Sequence, residues 1–384
     1  MPGNKTMNSV FVTVLLFLLP SFLAAPALYA SEPDEAALKL LSELSIRETA
    51  EAIKKDGKWV KPKLIIMVAA GIGAGLDDKR LAGLKSAADG AELLVVNDIN
   101  QAGDKLNDAQ VLLGTCTLVN SDMMSLQWVQ HFTAGVESCT SHKGFIESAA
   151  SLSNMKGVYG AGIAEHVIAM MFSFSRGLHQ FRQQQTDKNW DRSLAQRYPM
   201  QELKGKTLLL VGLGGIGTEI AWRARGLGMR VIASRNSRRA KPEFVDYVGL
   251  SDELLSLASE ADLIVNTTPL TTATTALFDE RFFAVLKPSA YFINVGRGKS
   301  VVTEALVNAL RNRKLAGAGL DVVEPEPLPQ DHPLWAMPNV IITPHISARS
   351  DLVMERFWIF IQENLRRYVA GEKLLNVVNM KKGY

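Results

Sequence analysis

The feature that most constrains the fold is a five-residue apolar stretch that runs straight into a glycine loop. Thr207–Val211 reads as a buried strand, and Gly212-Leu213-Gly214-Gly215-Ile216-Gly217 follows at once. Residues 216–227 then have the composition of a helix. A strand, a tight glycine turn and a helix in this order form one βαβ half of a parallel α/β sheet. The physical demands on the turn are specific. Gly212 permits the sharp exit from the strand, and Gly214 lets backbone approach a pyrophosphate. Gly217 lets the helix pack closely enough to aim its first N–H groups at the phosphates. The loop therefore implies a bound dinucleotide.

Other short apolar runs repeat the pattern. Strands are expected at Leu64–Val68, Leu93–Val96, Val111–Leu113, Trp128–Phe132, Arg230–Ser234, Leu263–Asn266, Tyr291–Asn294, Ala318–Asp321 and Val340–Ile342, with helical stretches between them. A long apolar helix is expected from Gly162 to Phe181, and a polar, exposed arm from Gln183 to Met200. The last helix is expected over about 352–368. A chain of 384 residues has room for two such domains. A net charge of +3, dispersed along the chain, excludes an electrostatic nucleic-acid binder. Cys116 and Cys139 are too few for a disulfide framework and are expected as buried or half-buried thiols, with pairing left open. No metal site is expected.

The N-terminus carries Lys5, an apolar run over Val10–Leu19, and small residues up to Ala30. This reads as a secretory signal peptide cleaved after Ala27 or Ala30, and so as an exported protein. A membrane anchor and a misplaced start, which would leave the chain cytoplasmic, are the alternatives, with Pro20 and Pro26 weighing against the anchor.

The end of the second strand of the glycine-loop unit selects between cofactors. A carboxylate there would hold the ribose 2′-hydroxyl of NAD. The chain instead reads Ser234-Arg235-Asn236-Ser237-Arg238-Arg239. A guanidinium at that place suits a 2′-phosphate, so NADP(H) is expected over NAD(H). A solvated basic loop with no firm preference is the alternative.

Three motifs follow the loop in order: Asn294-Val295-Gly296-Arg297-Gly298, Glu324-Pro325-Glu326-Pro327-Leu328 and Thr343-Pro344-His345. With the glycine loop, Asn266–Thr271 and Gly317–Leu328, they make most of residues 62–380 resemble the D-isomer-specific 2-hydroxyacid dehydrogenases, which include glyoxylate/hydroxypyruvate reductases and phosphoglycerate dehydrogenases. The resemblance implies two Rossmann-like or flavodoxin-like parallel-sheet domains around a cleft. The substrate domain would be 62–161 plus 350–384, and the cofactor domain 162–349. Residues 1–30 and a lead-in over 31–61 would lie outside that pair.

It also implies reversible reduction of a small 2-oxo acid to a D-2-hydroxy acid. Arg297 would bind the substrate carboxylate and His345 would serve as acid/base. Glu326 would orient the imidazole and favour its protonated form. Gly114, Thr115, Ala134 and Gly135 would line the substrate site. Asp321, Gly215, Ile216, Ser234, Arg235, Arg238, Thr268, Pro269 and Val295 would complete the cofactor site. Glu165 and His166 match a family pair for which a structural role is expected. Relatives are dimers, so a homodimer is implied. Where many relatives have a carboxylate after the arginine motif, this chain has Thr303, expected to cap the following helix. A non-catalytic dinucleotide sensor and an enzyme acting on formate or phosphite remain as other readings.

Overall fold

The computed structural model describes residues 35–44, 46–70, 75–197, 200–236 and 239–383. The signal-like segment and Arg238 lie outside them. Among the described residues, twelve parallel strands form two sheets. The first sheet has β1 (Leu64–Val68), β2 (Glu92–Val96), β3 (Val111–Leu113), β4 (Trp128–Gln130) and β5 (Ser151–Ser153), in the order β2-β1-β3-β4-β5. The second has β6 (Thr207–Val211), β7 (Arg230–Ser234), β8 (Tyr247–Gly249), β9 (Leu263–Asn266), β10 (Tyr291–Asn294), β11 (Gly317–Leu320) and β12 (Val340–Ile342). Its order is β12-β11-β10-β9-β6-β7-β8, so the direction of winding reverses between β6 and β9. Such a reversal opens a crevice at the carboxyl ends of the strands, where ligands of doubly wound sheets bind.

The helices are α1 (Glu35–Glu43), α2 (Asp78–Ala87), α3 (Glu137–Ser141), α4 (Lys143–Ser148), α5 (Gly160–Ser175), α6 (Leu178–Thr186) and α7 (Leu194–Arg197). After the glycine loop come α8 (Gly215–Gly226), α9 (Leu254–Glu260), α10 (Glu280–Ala284), α11 (Thr303–Arg311) and α12 (Val353–Ala370). Among the described residues no helix is long and apolar enough to cross a membrane.

Both sheets are covered on both faces, which is why their central strands are uniformly apolar rather than alternating. The period of two still decides which core each side chain joins. Leu209 and Val211 enter the core with α9–α11, while Leu208 and Leu210 enter the one with α5 and α8. In the first sheet Ile65 and Met67 face α2 and α12, and Ile66 and Val68 face the opposite core. Helix α12 returns to that first sheet, and Tyr368 stacks on Trp128 with ring centroids 4.7 Å apart. The lead-in belongs to the same body: Leu41 is buried with α12, and Glu48 forms an antiparallel bridge with Leu375.

Three expectations are corrected. The helix expected over Gly162–Phe181 is two helices, because Gly177 adopts φ +65° between α5 and α6. Thr303 does not cap α11; its hydroxyl donates to Glu324 O at 3.1 Å, in the loop that carries Glu326. The cysteines are not thiols: Cys116 and Cys139 are bonded to each other. They follow the adjacent parallel strands β3 and β4, which brings residues 23 apart in sequence side by side.

Candidate active site

The glycine loop leaves β6 at the reversal point. Gly212 has φ +100°, and a Cβ there would lie 2.9 Å from Thr267 Oγ1. A Cβ on Gly217 would collide with Gly212 O. Both positions therefore admit only glycine, as expected. Gly214 differs: its free face opens onto a cavity of about 300 Å³ lined by Leu213, Gly215, Thr218, Arg235 and Lys156. The cradle is thus shaped for an anionic group, and the donors present suit a dinucleotide phosphate. Gly215 is buried and Ile216 half-buried in the first turn of α8. Ser234 contributes backbone rather than hydroxyl: its O accepts from Gly212 N at 2.9 Å, while its Oγ turns to Leu250 O.

At the ends of β9 and β10 two buried asparagines build the platform for Arg297. Asn266 Nδ2 donates to Asn294 Oδ1 (2.9 Å) and Ser300 Oγ (2.8 Å), and its Oδ1 accepts from Thr268 N and Oγ1. Asn294 Nδ2 and Ser300 Oγ both donate to Arg297 O. Thr268 is fixed by this network, with Pro269 following it and buried Val295 beside it. Gly298 is required because a Cβ would strike Val323 O, so the arginine loop and the glutamate loop touch through backbone.

Glu326 uses both oxygens. Oε1 accepts from Val323 N at 3.0 Å, and Oε2 lies 2.9 Å from His345 Nδ1. The carboxylate thereby assigns the Nδ1–H tautomer and leaves Nε2 on the side of the half-exposed ring away from Glu326. His345 holds φ +51°, a conformation that costs a non-glycine residue about 1 kcal/mol or more. Its N–H donates to Asp321 O and Thr343 O, which holds it there. The Asp321 carboxylate accepts from Thr343 Oγ1 (2.7 Å), Ile346 N (3.0 Å) and Ser347 N (3.1 Å). Burial pushes this carboxyl up, but those hydrogen bonds together bring it below the ordinary aspartate value. His166 Nε2 sits 3.0 Å from Thr343 Oγ1 and braces the same segment. Asp321 is only 2% exposed, with its oxygens committed to this strap.

The first sheet supplies the facing wall. Gly114 directly follows β3, and Thr115 caps a short 3-10 turn over Cys116–Leu118. Ala134 O accepts from Asn154 Nδ2 at 2.8 Å. A Cβ on Gly135 would collide with Arg297 Nη2, so the turn expected to hold a substrate carboxylate does meet the arginine across the cleft. His131 is buried behind that turn. Cys116 N donates to its Nδ1, so Nε2 carries the proton and donates to Gly135 O at 3.1 Å. Burial lowers its pKa against the hydrogen bond to Gly135, which keeps the ring neutral.

Sequence reasoning missed two groups. Glu137, first residue of α3, lies on the fork of Arg297, with Nε–Oε1 at 3.1 Å and Nη2–Oε2 at 3.5 Å. It is separated from Arg297 by 160 residues, and no spacing signal connects them. Lys156 and Arg47 line the cofactor cavity from the first sheet and the lead-in. Their only signal was basicity, Arg47 in the lead-in and Lys156 in a segment given no role.

Residues 168–347 match the family model for the NAD binding domain of D-isomer specific 2-hydroxyacid dehydrogenases. The chain is 34% identical to a glyoxylate reductase of Thermococcus litoralis over 233 residues, 59% of this chain and 70% of that protein. It is 35% identical to glyoxylate/hydroxypyruvate reductase B of Klebsiella pneumoniae over 219 residues, 56% of this chain and 67% of that one. Among solved structures it resembles an NADPH-dependent glyoxylate/hydroxypyruvate reductase of Sinorhizobium meliloti in complex with NADP and sulfate. That match has 25% identity and a TM-score of 0.70, and covers 84% of this chain and all of the other. The chain therefore belongs to the D-isomer-specific 2-hydroxyacid dehydrogenase family and is an NAD(P)-dependent oxidoreductase of that family.

Proposed function

We propose that the protein reduces a small 2-oxo acid of the glyoxylate or hydroxypyruvate kind to a D-2-hydroxy acid, with NADPH preferred over NADH. The observation that carries this reading is the 2.9 Å contact of His345 Nδ1 with Glu326, in a cleft shared with Arg297 and the glycine loop. When bound, the reduced dinucleotide supplies a hydride. Arg297 binds the substrate carboxylate on its fork, in the place Glu137 takes here, and polarises the adjacent ketone. His345 gives its Nε2 proton to the oxygen as the alkoxide forms, and recovers it in the reverse direction. Glu326 stabilises the imidazolium and keeps the ring aimed into the cleft. Arg235, at the end of β7, favours the cofactor with a 2′-phosphate.

We also propose a homodimer formed through the outer face of α5 and α8, where Phe172, Trp222 and Leu227 line an apolar groove. Export is the localisation we favour, and the Cys116–Cys139 bond supports it, because disulfides persist in oxidising compartments.

The test follows absorbance of the reduced nicotinamide with glyoxylate, hydroxypyruvate and phenylpyruvate. His345→Ala is expected to lower kcat by about 10²–10⁴. Glu326→Gln should lower it about tenfold, the equivalent of losing one charge-assisted hydrogen bond that orients the ring. Arg297→Lys should act mainly on KM for the oxo acid. Arg235→Asp should shift preference toward NADH. Dinucleotide binding without turnover of any oxo acid would sink the reading.

A further inference from the structure

The cavity over the glycine loop is walled by more positive charge than the cofactor sheet provides. Arg235 directly follows β7. Lys156 comes from the loop after β5 in the other sheet, and Arg47 from the lead-in after α1. A Cβ placed on Gly214 would lie 3.9 Å from Lys156 Nζ, so this ammonium stands over the start of α8, on the open side of the cradle. The other basic residue of the wall, Lys241, donates to Val245 O, and no carboxylate lines the cavity among the described residues.

The backbone holding these cations is built, not incidental. Asn376 is buried, with φ +51°. Its Oδ1 accepts from Arg47 N (3.1 Å), its N–H donates to Arg47 O (2.7 Å), and its Nδ2 donates to Lys156 O (2.6 Å). Lys156 N donates to Asn154 Oδ1, whose amide also holds Ala134 O in the substrate turn. One asparagine thus ties the phosphate side of the cleft to the substrate side.

Resting on the reading of a dinucleotide enzyme, we propose that Lys156 and Arg47 are phosphate-binding residues of the cofactor site. Lys156 contacts the pyrophosphate at Gly214, and Arg47 adds to the 2′-phosphate charge of Arg235. The substrate sheet and the lead-in thereby take part in cofactor binding, and the phosphates bridge the two sheets. The ammonium has the matching electrostatics: burial first, then Arg47 and Arg235, pull its pKa down to about 8, a cost that an anion in the cavity would remove.

The experiment measures dissociation constants of NADPH and NADH by calorimetry on the whole chain, without substrate. Lys156→Met is expected to weaken both dinucleotides about tenfold or more, and Lys156→Arg to restore most of the affinity. Arg47→Ala should weaken NADPH more than NADH. In buffers of different ionisation heat at pH 8.5–9, the parent should take up a proton on binding NADPH, because the bound phosphate raises the lysine pKa again. Lys156→Met should take up none. Thermal unfolding of each variant separates loss of fold from loss of contact. Binding of both dinucleotides within twofold of the parent in Lys156→Met, or proton uptake unchanged, would overturn the proposal. If Arg235→Asp still changes preference in that case, the NADP reading survives alone. If Lys156→Met weakens binding in a protein that reduces no oxo acid, the phosphate site stands and the substrate reading falls.

Discussion

At the residue scale the Asp321 carboxylate accepts from Thr343, Ile346 and Ser347. It was expected to meet the cofactor, yet its oxygens organise residues 343–347 and so set the backbone of His345. The hydrogen bonds that outweigh burial lower its pKa in the folded state. A carboxyl lowered on folding stabilises above its unfolded value, about 3.9, and that stabilisation is lost as pH falls through the folded value. Asp321→Asn should therefore cost about 2 kcal/mol at pH 6, since its amide would face the Ser347 N–H donor to donor. Urea midpoints measured from pH 6 to pH 3 should show the gap to the parent narrowing below about pH 4. A gap that stays constant over that range would refute this account. His345 and Glu326 were legible because each sits in a motif of fixed order. Glu137 was not, because its partner is set by the approach of two sheets rather than by any local pattern.

At the element scale, the long apolar strands were readable, as were the short β3 and β12, whereas β5 and β8 were not. Thr207–Val211 and Leu64–Val68 carry five buried residues each, while β5 and β8 have three, with Ser151 and Tyr247 exposed at their starts. β3 and β12 are equally short but wholly apolar, whereas Ser151-Leu152-Ser153 and Tyr247-Val248-Gly249 carry no continuous apolar run to mark a strand. The break at Gly177 was hidden because Leu178 and Phe181 still offer apolar residues just beyond it, although α6 is otherwise polar; the left-handed backbone of Gly177 separates it from α5. The disulfide was hidden for a related reason, since it depends on β3 and β4 being neighbours. It clasps the turn after β3 to α3, the helix that carries Glu137. Replacing both cysteines by serine should cost about 3 kcal/mol through the freed loop of the unfolded chain. Chemical unfolding would measure the loss, and alkylation of the unreduced, denatured parent should find no thiol. Two titratable thiols there would show the bond to be absent.

At the scale of the molecule, the groove between α5 and α8 leaves Trp222 47% exposed, and the arm beyond it leaves Trp190 90% exposed. The chain mass is 42.0 kDa, so light scattering on the eluting protein should give twice that value for the proposed dimer. Trp222→Glu should halve it, by placing a charge in an apolar contact. A parent that elutes as a monomer at micromolar concentration would exclude the dimer. The parallel character of both sheets was legible from the alternation of strands and helices. The union of the lead-in with the C-terminal segment was not, because it rests on Glu48 meeting Leu375 and on Asn376 holding Arg47.

That union has a consequence for the order in which the protein can be made. The first sheet leaves the ribosome early, but α12 and the bridge from Ser153 to Val377 complete it, and they are synthesised last. The second sheet, made in between, has its own two cores and can close first. The earliest part of the chain thus waits for the latest, and the basic wall over the glycine loop is finished only when Asn376 arrives.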